Sequence, residues 1–515
     1  MSKIVLFRPK SSVHSLFPSL PRVPLGLLYV GTILSREGYD VRIIDATVDD
    51  DYVALADQEC KDAMLVGITA LTSEVKGGLE ISSFIKERHD VPIVWGGIHP
   101  SLFPVLTCED PLVDFAVLGE GEYTLLELVR ALEKDSPLEG IEGLAYREEG
   151  LVKINQPRPY VDLAKLPPLD YDLVDMAKYL RSGAWRRDID VQTSRGCPSR
   201  CKFCVNPVLG NRILRAMPAK RVADECERLS TAYGIEFVTF VDDNFFVSRP
   251  RVKEICEEFI ERKLDIKWFA ELRADYFRPG FVDEDFLELA EAAGLTNLTI
   301  GAESGVPRLL ELMGKDITVD DVVRSANMLA TTDIATAYSF IIGLPTEDRD
   351  DILTTLQLVE TLWKLYPKAS YSITTLRAYP GCELTDYFVR QGWIHEPQSL
   401  REFAQDAFSK VYTESPAKLP WHCDPDFVYA IAYFTSIAYG PFSRKRVKEI
   451  LGGFTFLLLP ELLLQRIARV RLEHRFFKFL IDIWLHKALQ YAYRSGVAKS
   501  FVRWRDTPKS TAHAR

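Results

Sequence analysis

Two blocks of alternating strand and helix patterns fix what this chain becomes. In the first block KIVLFRP, VRIID, MLVGIT, PIVWGG and FAVLGE are apolar runs of strand length within residues 3–120. Helical patterns at 24–36, 74–88 and 123–132 lie among them. Strands this apolar are buried on both faces, so the rhythm predicts a parallel sheet with helices on both sides. Five such strands suggest a doubly wound, flavodoxin-like α/β domain over residues 1–145. Ligands of such sheets bind outside the carboxyl ends of the strands. The loops there are 8–24, 45–50, 69–74, 96–100 and 119–122.

The second block covers residues 185–395. Its strand runs are IDVQTS, FVTFVDD, KWFAELR, LTNLTIGAE, AYSFIIG and SYSITTLRA. Helical stretches at 250–262, 283–293, 319–330 and 350–365 lie between them. Six units predict a partial (β/α)6 barrel, whose chemistry sits at the strands' carboxyl ends. Residues 146–184 join the blocks as a hairpin around Glu148 and Gly150, then a linker stiffened by Pro167 and Pro168. Residues 396–515 read as helical.

Just past the first barrel strand, Cys197, Cys201 and Cys204 are spaced C-x3-C-x2-C. Gly196 and Pro198 end the strand, so the thiols fall on a loop. Soft thiolates select iron–sulfur clusters, zinc or Cu(I). A cubane normally takes four cysteines, and the next one, Cys226, lies in a helical stretch that carries it away. Three thiolates on four irons leave one iron open, as a catalytic metal site requires. A structural zinc site wants a fourth Cys or His nearby, and none is there. Disulfides are disfavoured by an odd total of nine cysteines in a chain long enough to need no staples.

C-x3-C-x-aromatic-C, with Phe203 as the aromatic, resembles the radical SAM signature. The resemblance implies a 4Fe-4S cluster whose open iron chelates S-adenosylmethionine (SAM), which is cleaved reductively to methionine and a 5′-deoxyadenosyl radical. It also implies SAM-binding positions. Asp242 and Asp243, in DDNF after strand two, would take the SAM ammonium. Arg273 after strand three would pair its carboxylate by a fork. Glu303, in GAESG after strand four, would accept the ribose hydroxyls, and Ser304 beside it and Phe203 of the signature are further SAM-binding positions. Ile341 and Gly343, in FIIGLPTE, would pack the adenine. Cys382, in AYPGCEL, stands where the family more often has Thr, and is read as a core residue.

In the first block, VPLGLLYVGTILSREGYDVRIID, VGITALTSE, VWGGIHPSLFP and VLGEGE resemble the cobalamin-binding domain that precedes many radical SAM domains. The positions this implies for cobalamin are Thr69, Thr72, Ser73, Gly96, Gly97, His99, Gly119, Glu120 and Gly121. The D-x-H-x-x-G ligand motif is absent, and His14, His89 and His99 sit in no such frame. Cobalt is therefore expected to lack a protein histidine. His99 reads as a loop residue near the corrin or a turn hydrogen-bonder.

A net charge of −10 argues against nucleic acid as a partner. The charge is uneven: residues 443–505 hold fourteen Lys/Arg against four Asp/Glu, leaving forty-nine against sixty-nine elsewhere. Between 472 and 493, Phe476, Phe479, Leu480, Ile483, Trp484 and Ala488 share one helical face. Arg475, Lys478, Asp482 and Lys487 share the other. A helical cap on the barrel is the first reading. A basic amphipathic surface touching the inner face of a membrane is the alternative. No run reaches a membrane span, since 451–464 is broken by Pro460 and Glu461. A reducing cytoplasm is the expected compartment.

Together these point to a cobalamin-dependent radical SAM enzyme that methylates an unactivated carbon of a small-molecule or lipid substrate. A low-potential donor such as flavodoxin or ferredoxin would supply electrons. The alternative is a cyclase or oxidative rearrangement, since the layout also resembles the anaerobic magnesium-protoporphyrin ester cyclases. A methylthiolating enzyme is disfavoured because the first domain lacks extra cluster cysteines. A cobalamin sensor or electron carrier is the non-enzymatic reading, and leaves the open iron unexplained.

Overall fold

The computed structural model describes residues 1–11, 21–180, 187–405, 419–422, 424–440 and 459–477. The first domain opens with β1 (Lys3–Arg8), β2 (Asp40–Asp45), β3 (Ala63–Thr69), β4 (Ile93–Gly96) and β5 (Phe115–Val117). They are parallel and ordered β2-β1-β3-β4-β5, the flavodoxin-like order that the rhythm predicts. Val5, Leu6, Val66, Ile93 and Trp95 are fully or almost fully buried, as both-face burial requires.

The sheet then continues past the expected domain edge. β6 (Leu144–Glu148) and β7 (Leu151–Ile154) form the predicted hairpin, but β6 pairs antiparallel with β5. The hairpin is thus the sheet's last two strands. Its pairing satisfies the backbone of β5, which would otherwise be an exposed edge.

The barrel strands are β8 (Asp188–Val191), β11 (Phe237–Phe240), β12 (Lys267–Arg273), β13 (Leu295–Glu303), β14 (Ala335–Ile342) and β15 (Ser370–Thr375). They are parallel and consecutive, and the sheet is open between β8 and β15. β8 is shorter than its sequence run. The chain turns after Gln192 into β9 (Ser194–Arg195), which pairs antiparallel with β10 (Arg215–Ala216). This small ribbon brackets the cysteine loop.

Alternation along the barrel strands is sharp. Trp268, Ala270, Leu272, Leu298, Ile300, Tyr338, Phe340 and Tyr371 are buried against the surrounding helices. Tyr338 meets Ser325 of the helix Val319–Leu329, and Tyr371 donates to the Leu362 carbonyl of the helix Arg349–Leu365. The other parity faces the lumen.

Beyond the barrel, the helix Pro425–Tyr439 packs on β15 and on the helix Leu459–Glu473. The helix expected over 472–493 does not begin as read. The chain leaves helix after Glu473 and Arg475 takes φ +51°, a left-handed conformation that ends a helix. Phe476 lies in this break, while Lys478, Phe479, Leu480, Asp482, Ile483, Trp484, Lys487 and Ala488 lie outside the described residues. Within the described residues no helix is long and apolar enough to cross a membrane.

Candidate active site

The cysteine loop is held by its neighbours before any ligand is considered. Gly196 has φ +83°, and a Cβ there would stand 2.2 Å from the Ile213 carbonyl oxygen, so glycine is required. Its N–H donates to Asp243 at 2.8 Å, and the other Asp243 oxygen accepts from Asn206 at 2.7 Å. Asp242 lies deeper. Its carboxylate accepts from the Thr193 N–H, the Thr193 hydroxyl and the Ser194 hydroxyl at 2.5–2.6 Å. Both aspartates therefore brace the strand end and the loop. Asp242 is buried and already meets three donors.

Around the thiols the donors are cationic or N–H. The Asn244 amide reaches Cys197 Sγ at 3.7 Å and the Tyr276 hydroxyl at 2.8 Å. Arg273 Nη1 reaches Cys201 Sγ at 3.7 Å, and Nε pairs with Asp275 at 2.9 Å. Its remaining nitrogen donates to the Lys315 carbonyl. Arg273 thus divides its fork among the Asp275 carboxylate, the Lys315 carbonyl and a thiol. Burial pushes the Cys201 thiol up, while Lys315 and Arg273 pull the other way. Burial also pushes Cys204 up to about 11. Among the described residues no three His, Cys, Asp or Glu side chains converge on a single ion. The soft donor set with its cationic surround fits a larger, anionic cluster.

Glu303 ends β13 at φ +61°, a strained position for a non-glycine residue. It accepts from Lys315 Nζ at 2.7 Å, and both are buried. A Cβ on Gly301 would collide with this pair, at 2.3 Å from Glu303 Oε1 and 2.7 Å from Lys315 Nζ. The glycine therefore lets an ion pair stand in the barrel. Lys315 also lies 5.9 Å from the Phe203 ring centroid. Ser304 is fully buried, and its hydroxyl meets Thr355 at 3.3 Å while accepting from the Val306 N–H. Ser304 thus braces the turn after β13.

Ile341 shares the half-exposed lumen parity of β14. Gly343, at φ +80°, donates to the Glu347 carboxylate and accepts from Trp421 Nε1 at 2.7 Å. The carboxyl-terminal region thus seals this turn. Cys382 is buried, with its thiol against the Phe203 carbonyl at 3.3 Å, in accord with its reading as core.

On the first domain, Gly97 and Gly119 take φ +96° and +71°. Ser101 ties their loops, donating to the Gly97 carbonyl and accepting from the Gly119 N–H at 2.7 and 2.8 Å. The Gly96 carbonyl accepts from the Ala70 N–H. Thr69 is half-buried at its strand end, and the Ser73 carbonyl accepts from Ser11. Leu71 and Ile98, both over one-third exposed, stand on the same loops. Open backbone with exposed apolar side chains is a fitting bed for a large flat ligand.

His99 is not on that bed. It is fully buried, shares a proton with the Thr72 hydroxyl at 3.2 Å, and packs edge-on against Phe403. Burial lowers its pKa to about 3. It is the turn hydrogen-bonder of the two readings, and Thr72 is its partner.

Glu120 is likewise committed. It accepts from Arg215 and the Val161 N–H, both at 2.7 Å, and Arg195 lies 3.4 Å away. Arg195 also bonds Glu122 at 2.6 Å. Gly121 opens the helix Glu122–Lys134. These pairs turn the strand ends of the first domain toward the cysteine loop, and Leu102 meets Gly381 beside β15.

Lys315, Glu271, Arg195 and Glu122 escape sequence reading. A lone lysine after glycine has no distinguishing pattern. Glu271 did carry a signal, as a charge in the middle of the alternating run KWFAELR.

Residues 191–359 match the Radical SAM superfamily and residues 21–129 match the B12 binding domain. An uncharacterized methyltransferase of Pyrococcus horikoshii is 34% identical over 404 residues, covering 75% of this chain and 85% of that protein. The anaerobic magnesium-protoporphyrin IX monomethyl ester cyclase of Synechocystis is 28% identical, covering 70% and 72%. The radical S-adenosylmethionine methyltransferase TsrM of Kitasatospora setae, solved with cobalamin and a 4Fe-4S cluster bound, shares the fold. Its TM-score is 0.67 at 21% identity, over 91% of this chain and 99% of that one. The chain belongs to the cobalamin-binding radical SAM enzymes, whose cofactors are a 4Fe-4S cluster, SAM and cobalamin.

Proposed function

We propose that this chain methylates an unactivated carbon of a small molecule. The observation that carries the reading is the facing of two sites. The Arg195–Glu122 and Arg215–Glu120 bonds set the glycine loops of the first domain against the cysteine loop. When bound, the cofactors supply a 5′-deoxyadenosyl radical from SAM and a methyl group from cobalamin. The rest is the work of side chains. Cys197, Cys201 and Cys204 would hold the cluster. Asn244 and Arg273 would orient and charge-balance two of the thiolates. Asp243, through Gly196, would fix the loop's path. Lys315 would offer a cation to a carboxylate, and Ile341 an apolar wall to a ring. Gly97 and Gly119 would admit the corrin, with no histidine donated from this chain.

Electrons would come from a low-potential flavodoxin or ferredoxin in a reducing cytoplasm, where an oxygen-sensitive cluster survives. The basic carboxyl-terminal region would add peripheral attraction to anionic membrane.

The test is product stoichiometry with anaerobically reconstituted enzyme. A methyltransferase forms S-adenosylhomocysteine and 5′-deoxyadenosine together, because two SAM molecules play different parts. A cyclase forms deoxyadenosine without matching S-adenosylhomocysteine. Changing all three loop cysteines to Ala should abolish iron binding, expected at about four irons per chain, and all SAM cleavage. Cleavage surviving in that variant overturns the proposal.

A further inference from the structure

The lumen of the barrel is built for polar matter. On β12 the buried residues Trp268, Ala270 and Leu272 alternate with Phe269, Glu271 and Arg273. Arg273 touches Cys201, so this second set points to the cluster end of the lumen. The strands beside β12 repeat the pattern in register. Arg273 is level with Gly301, then Ser339, then Ser372. One layer deeper, Glu271 is level with Thr299, then Ala337, then Ser370. Barrel interiors are ordinarily filled by bulky branched side chains. Here both layers are small or hydrophilic, and apart from the buried Arg273 they are accessible while the opposite parity is closed.

These groups are also unspent. Glu271, Thr299, Ser339 and Ser372 make no side-chain hydrogen bond with any described residue. Glu271 is exposed to the lumen yet crowded by protein, and that crowding pushes its carboxyl up. Lys315 is within electrostatic reach but bonds Glu303 instead. A carboxylate can only accept, so its partner must be a donor. Leaving it and its neighbouring hydroxyls dry against hydrocarbon would forfeit hydrogen bonds that water or a polar ligand provides.

We propose that the substrate is a hydroxylated, amine-bearing small molecule whose ammonium is held by Glu271 and whose hydroxyls meet Thr299 and the lumen serines. This rests on the methyltransferase reading, and it excludes a hydrocarbon lipid as the group that enters the barrel. Glu271 and Thr299 lie a full layer below Arg273. In this role Glu271 discriminates by pairing, since a site built around an acceptor crowded by protein rejects ligands without the donor.

The experiment uses the full chain loaded with cluster, SAM and cobalamin, and reads binding by saturation-transfer NMR. The probes are glucosamine, which carries the proposed groups, and benzene, which enters dry apolar cavities. Glucosamine should bind in the millimolar range, weaken at least tenfold in Glu271→Gln, and weaken severalfold in Thr299→Val. Benzene should not bind. Affinity for SAM, measured by equilibrium dialysis, should stay within twofold in both variants. Benzene binding to the wild type, or glucosamine binding that is absent or unchanged in Glu271→Gln, overturns the proposal. So does a tenfold loss of SAM affinity, which would assign these groups to SAM. Deoxyadenosine formation by the wild type without any probe is scored separately. Its absence would fail the radical reading, whereas its presence with failed probe binding would fail only the substrate inference.

Discussion

Arg195 of the barrel donates to Glu122 of the first domain at 2.6 Å, with its guanidinium over the Tyr29 ring. Arg195 lies two residues before Cys197, and Glu122 opens the helix behind the glycine loop 119–121. The side chains are 13% and 3% exposed. One buried contact therefore joins the strand that leads into the cysteine loop to the helix behind the glycine loop.

Breaking this contact from one side should cost more than removing it whole. Arg195→Ala strands the buried Glu122 carboxylate, and loss of one partner of a buried pair costs about 3–5 kcal/mol. Arg195→Met with Glu122→Leu should recover much of that stability. The two domains would then lack their polar latch, so cobalamin affinity should stay reduced. Thermal unfolding of both variants, beside equilibrium cobalamin binding, checks the two halves. Equal stability of single and double variants would show that the pair carries no coupling.

Arg273 calls for an electrochemical test. Its guanidinium reaches Cys201 Sγ at 3.7 Å and the residue is 9% exposed. A fixed cation beside a thiolate ligand favours the added electron. Arg273→Gln should lower the cluster's reduction potential and slow SAM cleavage, while iron content stays near wild type. Arg273→Lys should fall between, because it keeps charge but loses the fork that binds Asp275 and the Lys315 carbonyl. Potentiometric titration followed by electron paramagnetic resonance reads the shift. An unchanged potential in Arg273→Gln would remove the residue from the cluster's electrostatics.

Both contacts show where sequence reading ends. Strand order and the cysteine loop were legible because they rest on local signals: apolar runs of strand length, glycine and proline stops, and thiol spacing. The side-chain assignments were less so. Asp242 and Ser304 sat in the right motifs, yet their polar atoms turn to Thr193, Ser194 and Thr355. That choice depends on packing between segments up to fifty residues apart, and no local pattern encodes it. Glu120, read as a cofactor contact, forms an interdomain ion pair whose partners Arg195 and Arg215 belong to the ribbon around the cysteine loop. That ribbon of two-residue strands is too short to leave a periodic signal. Lys315 faces Glu303 only because Gly301 has no side chain, a relation visible in three dimensions alone.

His99 should make the first domain acid-sensitive. Burial holds its pKa at about 3, against an ordinary 6.5. A base depressed in the folded state contributes stability that is whole above pH 6.5 and is lost as pH falls toward 3. The slope is about 1.4 kcal/mol per pH unit within that window. Asp190 and Glu347, raised by burial to about 6 and 7, act in the opposite sense, stabilising the fold as pH falls. The difference between wild type and His99→Gln isolates the histidine. Denaturant unfolding at pH 7.5 and pH 5 should show wild type losing ground to the variant by about 2 kcal/mol. Parallel pH profiles would mean that His99 becomes charged without cost.

The carboxyl-terminal arginines divide into two kinds. Arg469 donates to the Ala438 carbonyl at 3.1 Å and lies over Trp363, while Arg471 lies over the Phe434 ring. Arg475 holds Glu360 with both terminal nitrogens at 2.7 and 3.0 Å. These cations fasten the helix Leu459–Glu473 to the barrel's outer layer. Arg466 is exposed on the outer face, beside Leu463 and Val470. Reversing charge at the two kinds of site should therefore separate packing from surface attraction. Arg469→Glu should lower the unfolding temperature, whereas Arg466→Glu should change stability by less than about 0.5 kcal/mol. If the basic region also meets anionic headgroups, Arg466→Glu should weaken co-sedimentation with anionic vesicles. Each cation near such a surface contributes about 1 kcal/mol, so replacing one with an anion should weaken binding by roughly tenfold or more. The attraction should fade as salt rises from low to physiological strength. Equal binding to neutral and anionic vesicles, or none to either, would leave the region as a packed cap alone.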